Sequence, residues 1–190
     1  MPTCVLIEPA PTRVMDDLEL VDRAAAGDAS AFETLVRRHT DAAWRMARSM
    51  LRDDFAAEEA VQDTFLKAYR NLHTFRGDAK VSTWLLSICH RCCIDRLRLK
   101  RHNVVSLDEA GREPRTEDRT DLKLAVDEAM AALPADERDA FTLVEIVGHS
   151  REGAAEIAGV PASTMRSRVS RAREKLAKAL GDARHEASGE

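Results

Sequence analysis

The sequence predicts an all-α protein of two small helical domains joined by a flexible linker, the C-terminal one a helix-turn-helix. Three observations carry this. Aromatic residues make up only 4% of the 190 residues while hydrophobic content is 44%, which is enough for real cores. Ala, Leu and Arg are plentiful, strand-like alternation is absent, and every long segment repeats its apolar residues at helical spacing. Between about 103 and 120 that periodicity stops, and a polar stretch of mixed charge with Gly and Pro takes its place, as expected of a linker between independently folded units.

Taken in order, residues 1–15 are Pro-rich and aperiodic and read as a disordered tail. A first domain spans 16–102. Leu18 to Ala26 forms a short helix stopped by Gly27. Ser30 and Glu33 make a capping-box pair that starts a longer helix with Phe32, Leu35, Val36, His39, Ala43, Met46, Ala47 and Met50 facing inward. Ala56 to Leu72 comes next, with Val61, Phe65, Ala68, Tyr69 and Leu72 as its stripe. The loop His73 to Lys80 leads into a helix from Val81 to about Arg101, buried through Trp84, Leu85, Ile88, Cys92 and Leu99.

The second domain spans 121–182, with a tail over 183–190. Periodicity resumes at Leu122 and runs through Met130 and Leu133. Leu133-Pro134 breaks it before a helix from Asp136 to Val147, whose Phe141, Val144 and Ile146 are expected to pack under the helix-turn-helix. Arg151 to Ala158 is a short helix, Gly159-Val160-Pro161 a tight turn, and a longer helix then places Met165, Val169, Ala172, Leu176 and Leu180 on one face. Its outer side carries Arg166, Ser167, Ser170 and Arg171 at helical spacing, with Arg173 and Lys178 extending the positive charge. A short face of hydroxyls and guanidinium groups on a rigid helix suits the DNA major groove, where arginine can read a guanine edge bidentately.

The net charge of −4 is an average over segregated blocks. Asp53, Asp54, Glu58, Glu59 and Asp63 form an acidic block, and Arg91, Arg96, Arg98, Lys100 and Arg101 a basic one. With the C-terminal helix this makes two positive surfaces, suited to two contacts with a polyanion. No basic leader or transmembrane-length apolar run is present, which places the chain in the cytoplasm without membrane insertion. No nucleotide-binding glycine loop, nucleophile-base pair or complete metal set occurs, so neither an enzyme nor a cofactor is expected.

The order of AAEEAVQDTFLKAYRNL, HTFRGDAKVSTWLLSI, the basic CIDRLRLKRH, a polar linker, LPADERDAF and GVPASTMRSRVSRAREKL resembles the extracytoplasmic-function (ECF) sigma factors of bacterial RNA polymerase. The resemblance covers roughly residues 18–102 and 122–180. It implies an alternative sigma factor that binds core polymerase and directs promoter-specific initiation by reading two promoter elements and nucleating strand opening. By position, Glu58, Glu59, Gln62, Asp63 and Phe65 are similar to the segment docking on the β′ clamp helices, and the β flap is a further implied contact. Asn71, His73, Phe75, Arg76 and Lys80 fall in the part that recognises and opens the minus-ten element, where Arg91, Arg96, Arg98, Lys100 and Arg101 can track phosphates. Arg166, Ser167, Ser170 and Arg171 match the positions facing the minus-thirty-five element. An anti-sigma partner is also implied.

The chain departs from the family pattern in two places. Cys89-His90-Arg91 stands where an Ala-Arg-Asn run is common, replacing an amide by a guanidinium. Gly153 and Ala154 stand where a Glu and a larger aliphatic are usual, and Gly disfavours a helix interior by about 1 kcal/mol. Trp84, on the apolar stripe, suits a core anchor better than a stacking platform. Cys89, Cys92 and Cys93 suit small packing residues, since Cys89 and Cys92 would need two further ligands to hold a metal. These features leave two rival functions: a sigma-like decoy that sequesters an anti-sigma protein without touching DNA, and a thiol- or metal-gated regulator.

Overall fold

The computed structural model describes the backbone of residues 15–104 and 121–187, and side chains over 15–99 and 124–181. Residues 105–120 of the expected linker and 1–14 of the N-terminal tail lie outside the described residues, whereas 183–187, expected as the start of a C-terminal tail, continue the last helix, whose Ala, Arg and Glu residues are good helix formers. Eight α-helices are described: α1 (Asp17–Ala25), α2 (Ala29–Leu51), α3 (Asp54–Arg70) and α4 (Val81–Val104), then α5 (Asp121–Ala132), α6 (Ala135–Phe141), α7 (Arg151–Ala158) and α8 (Ala162–Ala187). A 3₁₀ turn at Leu72–Thr74 succeeds α3, and a π-helical turn at Thr142–Ile146 continues α6.

Side-chain caps set the helix starts. Asp16 accepts from the Glu19 amide at 2.8 Å, Asp53 from Ala56 at 2.9 Å and Ser150 from Gly153 at 3.1 Å, each satisfying a donor the helix cannot. The cap of α2 is Asp28, which accepts from the amides of Ser30 and Ala31 at 3.0 and 3.3 Å, so the expected Ser30 capping box does not form. Ser30 instead donates its hydroxyl to Asp28 at 2.7 Å. That bond, and after it the one from Arg23, lowers the Asp28 pKa to about 2. The carboxylate two residues earlier outcompetes the hydroxyl because a charged acceptor binds amides more strongly.

In the first half, Leu20, Leu35, Met46, Met50, Phe65, Leu86, Cys89 and Cys93 pack into a core shared by α1 to α4. Some expected members do not enter it. The His39 ring is hydrogen-bonded to the Asp17 carboxylate of α1 at 2.8 Å. Tyr69 lies half-exposed, edge-on to Phe32 with ring centroids 4.9 Å apart. Leu99 is exposed on α4.

In the second half, Met165, Val169, Ala172 and Leu176 of α8 are buried as the stripe predicts. The segment expected as one helix to Val147 changes at Thr142 to π winding. A wider turn advances the register, so Thr142 and Leu143 are buried while Ile146 stays 39% exposed, against expectation. Gly159, with φ of +66°, caps α7 in the left-handed conformation that makes the turn into α8 tight. Arg138 closes the end of α5 by donating to the carbonyls of Met130 and Ala131 at 3.5 and 3.3 Å.

The two halves pack on each other. α7 lies against α4, and α6 with the π turn lies against α2, so Leu143, Ala154, Ile157 and Met165 join the apolar cluster of the first half. Polar contacts cross the same boundary: Ser49 to Thr142 at 2.6 Å and His90 to Asp139 at 3.7 Å.

Candidate nucleic-acid interface

The outer face of α8 is set by its burial pattern. With Met165, Val169 and Ala172 turned inward, Arg166, Ser167, Ser170 and Arg171 are all exposed on the outer side. Arg171 is partly pre-ordered: its Nε donates to the Ser167 carbonyl and its Nη2 to the Ser167 hydroxyl, both at 3.3 Å. The flank of the helix is tied to its neighbours. Arg168 pairs with Asp136 at 3.2 Å, Lys175 with Glu137 at 2.7 Å and Arg173 with Glu145 at 2.6 Å. Arg173, read from sequence as extending the basic face, is thus engaged within the fold.

At the first half's interface, Asn71, His73, Arg76 and Lys80 are exposed around the 3₁₀ turn and the loop before α4. Asn71 is fixed by its amide donating to the Lys67 carbonyl at 2.8 Å. Phe75 is half-buried and packs on Trp84, ring centroids 5.2 Å apart with planes tilted by 50°. The two rings form one aromatic unit at the root of the loop, so Trp84 both anchors and borders the surface. A cavity of about 530 Å³ lies alongside, lined by Asp16, Asp17, Gly77, Asp78, Lys80 and Ser82 among others.

Along α4, Arg91 and Arg98 project to solvent. Arg96 does not. Its two terminal nitrogens donate to Glu59 at 2.6 Å and Asp63 at 2.7 Å on α3, which joins a residue read as a phosphate contact to two read as polymerase contacts. Burial pulls the Arg96 pKa down, but these bonds outweigh it and the net shift is upward. Lys100 and Arg101 lie outside the described side chains.

The outer side of α3 presents Glu58, Glu59, Gln62 and Asp63. Phe65 is different: at 8% exposure its ring belongs to the core, and it cannot offer that ring to a partner while α3 stays packed. Besides Tyr69, which packs on Phe32, the exposed apolar groups of α3 are Phe55, 70% exposed, and Leu66, 48% exposed. Phe55, Glu59, Gln62 and Leu66 recur at spacings of four, three and four, so helical periodicity applied to the outer face would have found them.

Cys89, Cys92 and Cys93 are free and buried. Cys93 is hydrogen-bonded to Cys89, and that bond together with burial pushes its pKa well up, which keeps it a thiol. Lys67 lies 3.4 Å from the Cys92 sulfur. Among the described residues no three His, Cys, Asp or Glu side chains converge as metal ligands, and no helix is long and apolar enough to cross a membrane.

α8, with arginines and serines along its outer side, follows α7 and a tight turn as the second helix of a helix-turn-helix, and these come after a four-helix unit with acidic residues on α3 and arginines along α4. Sigma-70 region 2 matches residues 35–103, and Sigma-70 region 4 matches residues 123–176. The chain is 38% identical over 166 residues to the ECF RNA polymerase sigma factor SigM of Mycobacterium tuberculosis (strain ATCC 25618 / H37Rv), covering 87% of this chain and 85% of that protein. It is 33% identical over 179 residues to the ECF RNA polymerase sigma-E factor of Haemophilus influenzae, covering 85% and 94%. Among solved structures it resembles the sigma factor RpoE in complex with the anti-sigma factor NepR from Bartonella quintana, with a TM-score of 0.67, 29% identity and coverage of 79% and 96%. It also resembles CnrH in complex with the cytosolic domain of CnrY, with a TM-score of 0.66, 29% identity and coverage of 88% and 97%. The chain belongs to the ECF sigma factors, alternative sigma factors that direct transcription by RNA polymerase.

Proposed function

We propose a division of labour between the two halves. The unit over 16–102 docks on core polymerase through Glu58, Glu59, Gln62 and Asp63, with Phe55 and Leu66 as its apolar contacts, and opens the minus-ten element with the loop His73 to Lys80 and α4. The unit over 121–182 reads the minus-thirty-five element with Arg166, Ser167, Ser170 and Arg171. The observation that carries this is the exposure of those four α8 side chains opposite the buried Met165, Val169, Ala172 and Leu176. An acidic ridge flanked by exposed apolar groups suits a basic partner whose register it can fix.

The packed arrangement of the halves cannot engage both elements together. Elements centred roughly 25 base pairs apart are about 85 Å apart along B-DNA, whereas a compact chain of this length has a radius of gyration of about 16 Å. The halves therefore separate on polymerase, and the packed form is the one suited to capture by an inhibitor. Both structural relatives were solved in a complex, RpoE with an anti-sigma factor and CnrH with the cytosolic domain of CnrY, which supports an anti-sigma partner for this chain. It acts in the cytoplasm, where its polymerase is, and leaves the catalysis to that enzyme.

Run-off transcription with core polymerase on a pool of genomic promoter fragments tests the reading. Discrete starts sharing two spaced upstream motifs are expected; their absence with folded, inhibitor-free protein would favour the decoy.

A further inference from the structure

We infer that Glu137 of α6 is a positioning residue for promoter discrimination, its buried carboxylate holding the Arg171 guanidinium of α8 in a reading orientation. This rests on the assignment of α8 to the minus-thirty-five element. Glu137 is only 5% exposed, and a carboxylate so placed needs cationic partners. Among the described residues its cationic partners both come from α8: Lys175, hydrogen-bonded at 2.7 Å, and the Nε of Arg171, a longer-range charge contact at 3.9 Å. Arg171 is held from its own helix as well, through the Ser167 carbonyl and hydroxyl. Its guanidinium therefore lies between a fixed anion on α6 and two acceptors one turn back on α8.

Bidentate readout of a base edge needs the planar fork in one orientation, and a long side chain that is ordered before contact loses less freedom on binding. Glu137 supplies that order from a different helix, so α6 is part of the reading apparatus without touching DNA. Its charge has a second effect. An anion behind the reading face weakens attraction to phosphates of any sequence, so its removal leaves general affinity equal or higher while discrimination falls.

The test is a double-mutant cycle in holoenzyme reconstituted from core polymerase and the full chain, transcribing promoter fragments randomised at the upstream element. Wild type, Glu137→Gln, Arg171→Ala and the double variant are compared by the ratio of transcripts from preferred and substituted bases. Glu137→Gln is expected to lower discrimination at the Arg171-dependent position about tenfold, with non-specific DNA affinity unchanged or raised. In the Arg171→Ala background it is expected to add nothing. Additive effects, or a uniform loss at all positions accompanied by a lower melting temperature, would overturn the inference. Lys175→Met, at an exposed residue, covers the case in which Glu137→Gln does not fold. Discrimination persists in it if Arg171 is the relevant partner, and its loss would make the lysine anchor the cause. A wild-type holoenzyme with no upstream preference would sink the underlying assignment instead, and is distinguishable because no variant is then needed.

Discussion

The hydroxyls of Ser49 on α2 and Thr142 in the π turn lie 2.6 Å apart, joining two halves of the chain that are 93 residues apart in sequence. Thr142 is fully buried, so its hydroxyl depends on a partner within the protein. Ser49→Ala is expected to loosen the packed form by about 1–2 kcal/mol, and adding Thr142→Val to recover most of that, because an orphaned polar group is worse than an apolar pair. The radius of gyration from small-angle X-ray scattering reports it. An unchanged value for Ser49→Ala would show that the apolar contacts alone hold the halves together.

Acid should open the same interface through His149. Burial first, and then the nearby charge of Lys80 on the opposite half, hold its pKa below the ordinary 6.5. The packed form thus favours the neutral ring: its stability is fully present above pH 6.5 and lost as pH falls through the lower packed-state value. Scattering between pH 7.5 and 5 is expected to show expansion, reduced in His149→Asn. His90 faces Asp139 across the interface and is replaced by Asn in both proteins, so that only His149 is compared.

Arg171→Ala is expected to weaken recognition of the upstream element by about 1–3 kcal/mol at one base position. Competition binding with single-base variants measures this. A uniform loss across unrelated sequences would make Arg171 a phosphate contact.

Reversal of Glu59 and Asp63 to Lys is expected to reduce affinity for core polymerase while leaving DNA binding by the C-terminal half intact. It also sets two cations beside Arg96, so Arg96→Glu is added to restore the internal pairing. The triple variant should regain most of the roughly 1 kcal/mol of stability lost yet still bind polymerase weakly. Full binding by the triple variant would show that only the α3–α4 pairing matters.

The π turn makes a stability prediction. Leu143→Ala, at a fully buried site, is expected to cost about 3 kcal/mol, and Ile146→Ala, at a half-exposed one, less than about 1 kcal/mol. Thermal unfolding of both variants decides whether the register advances at Thr142. Equal losses would favour continued α-helical winding.

How much was legible in the chain varies by element. α7, the Gly159 turn and the buried stripe of α8 could be read because each rests on short-range rules: apolar side chains at helical period and a Gly-Val-Pro turn between them. Asp28 displaced Ser30 as a cap because propensity ranks residue types without weighing which of two neighbouring acceptors reaches the amides. Phe65 was placed both in the apolar stripe and on the polymerase surface, and the packing of α3 against α4 assigned it to the core. That same packing leaves Phe55 and Leu66, which lie off the apolar stripe, exposed.

The sequence by itself determined the helical class, the order of the two halves and the four outward residues Arg166, Ser167, Ser170 and Arg171 of α8, since these depend on periodicity and local backbone chemistry. Only the tertiary structure decided that Arg96 closes on Glu59 and Asp63, that Glu137 lies beneath Arg171, and that Ser49 meets Thr142. Each of these joins residues from different helices, 33 or more positions apart in all three cases. Such pairings depend on how helices cross and rotate against one another, and helical spacing within one segment carries no record of that.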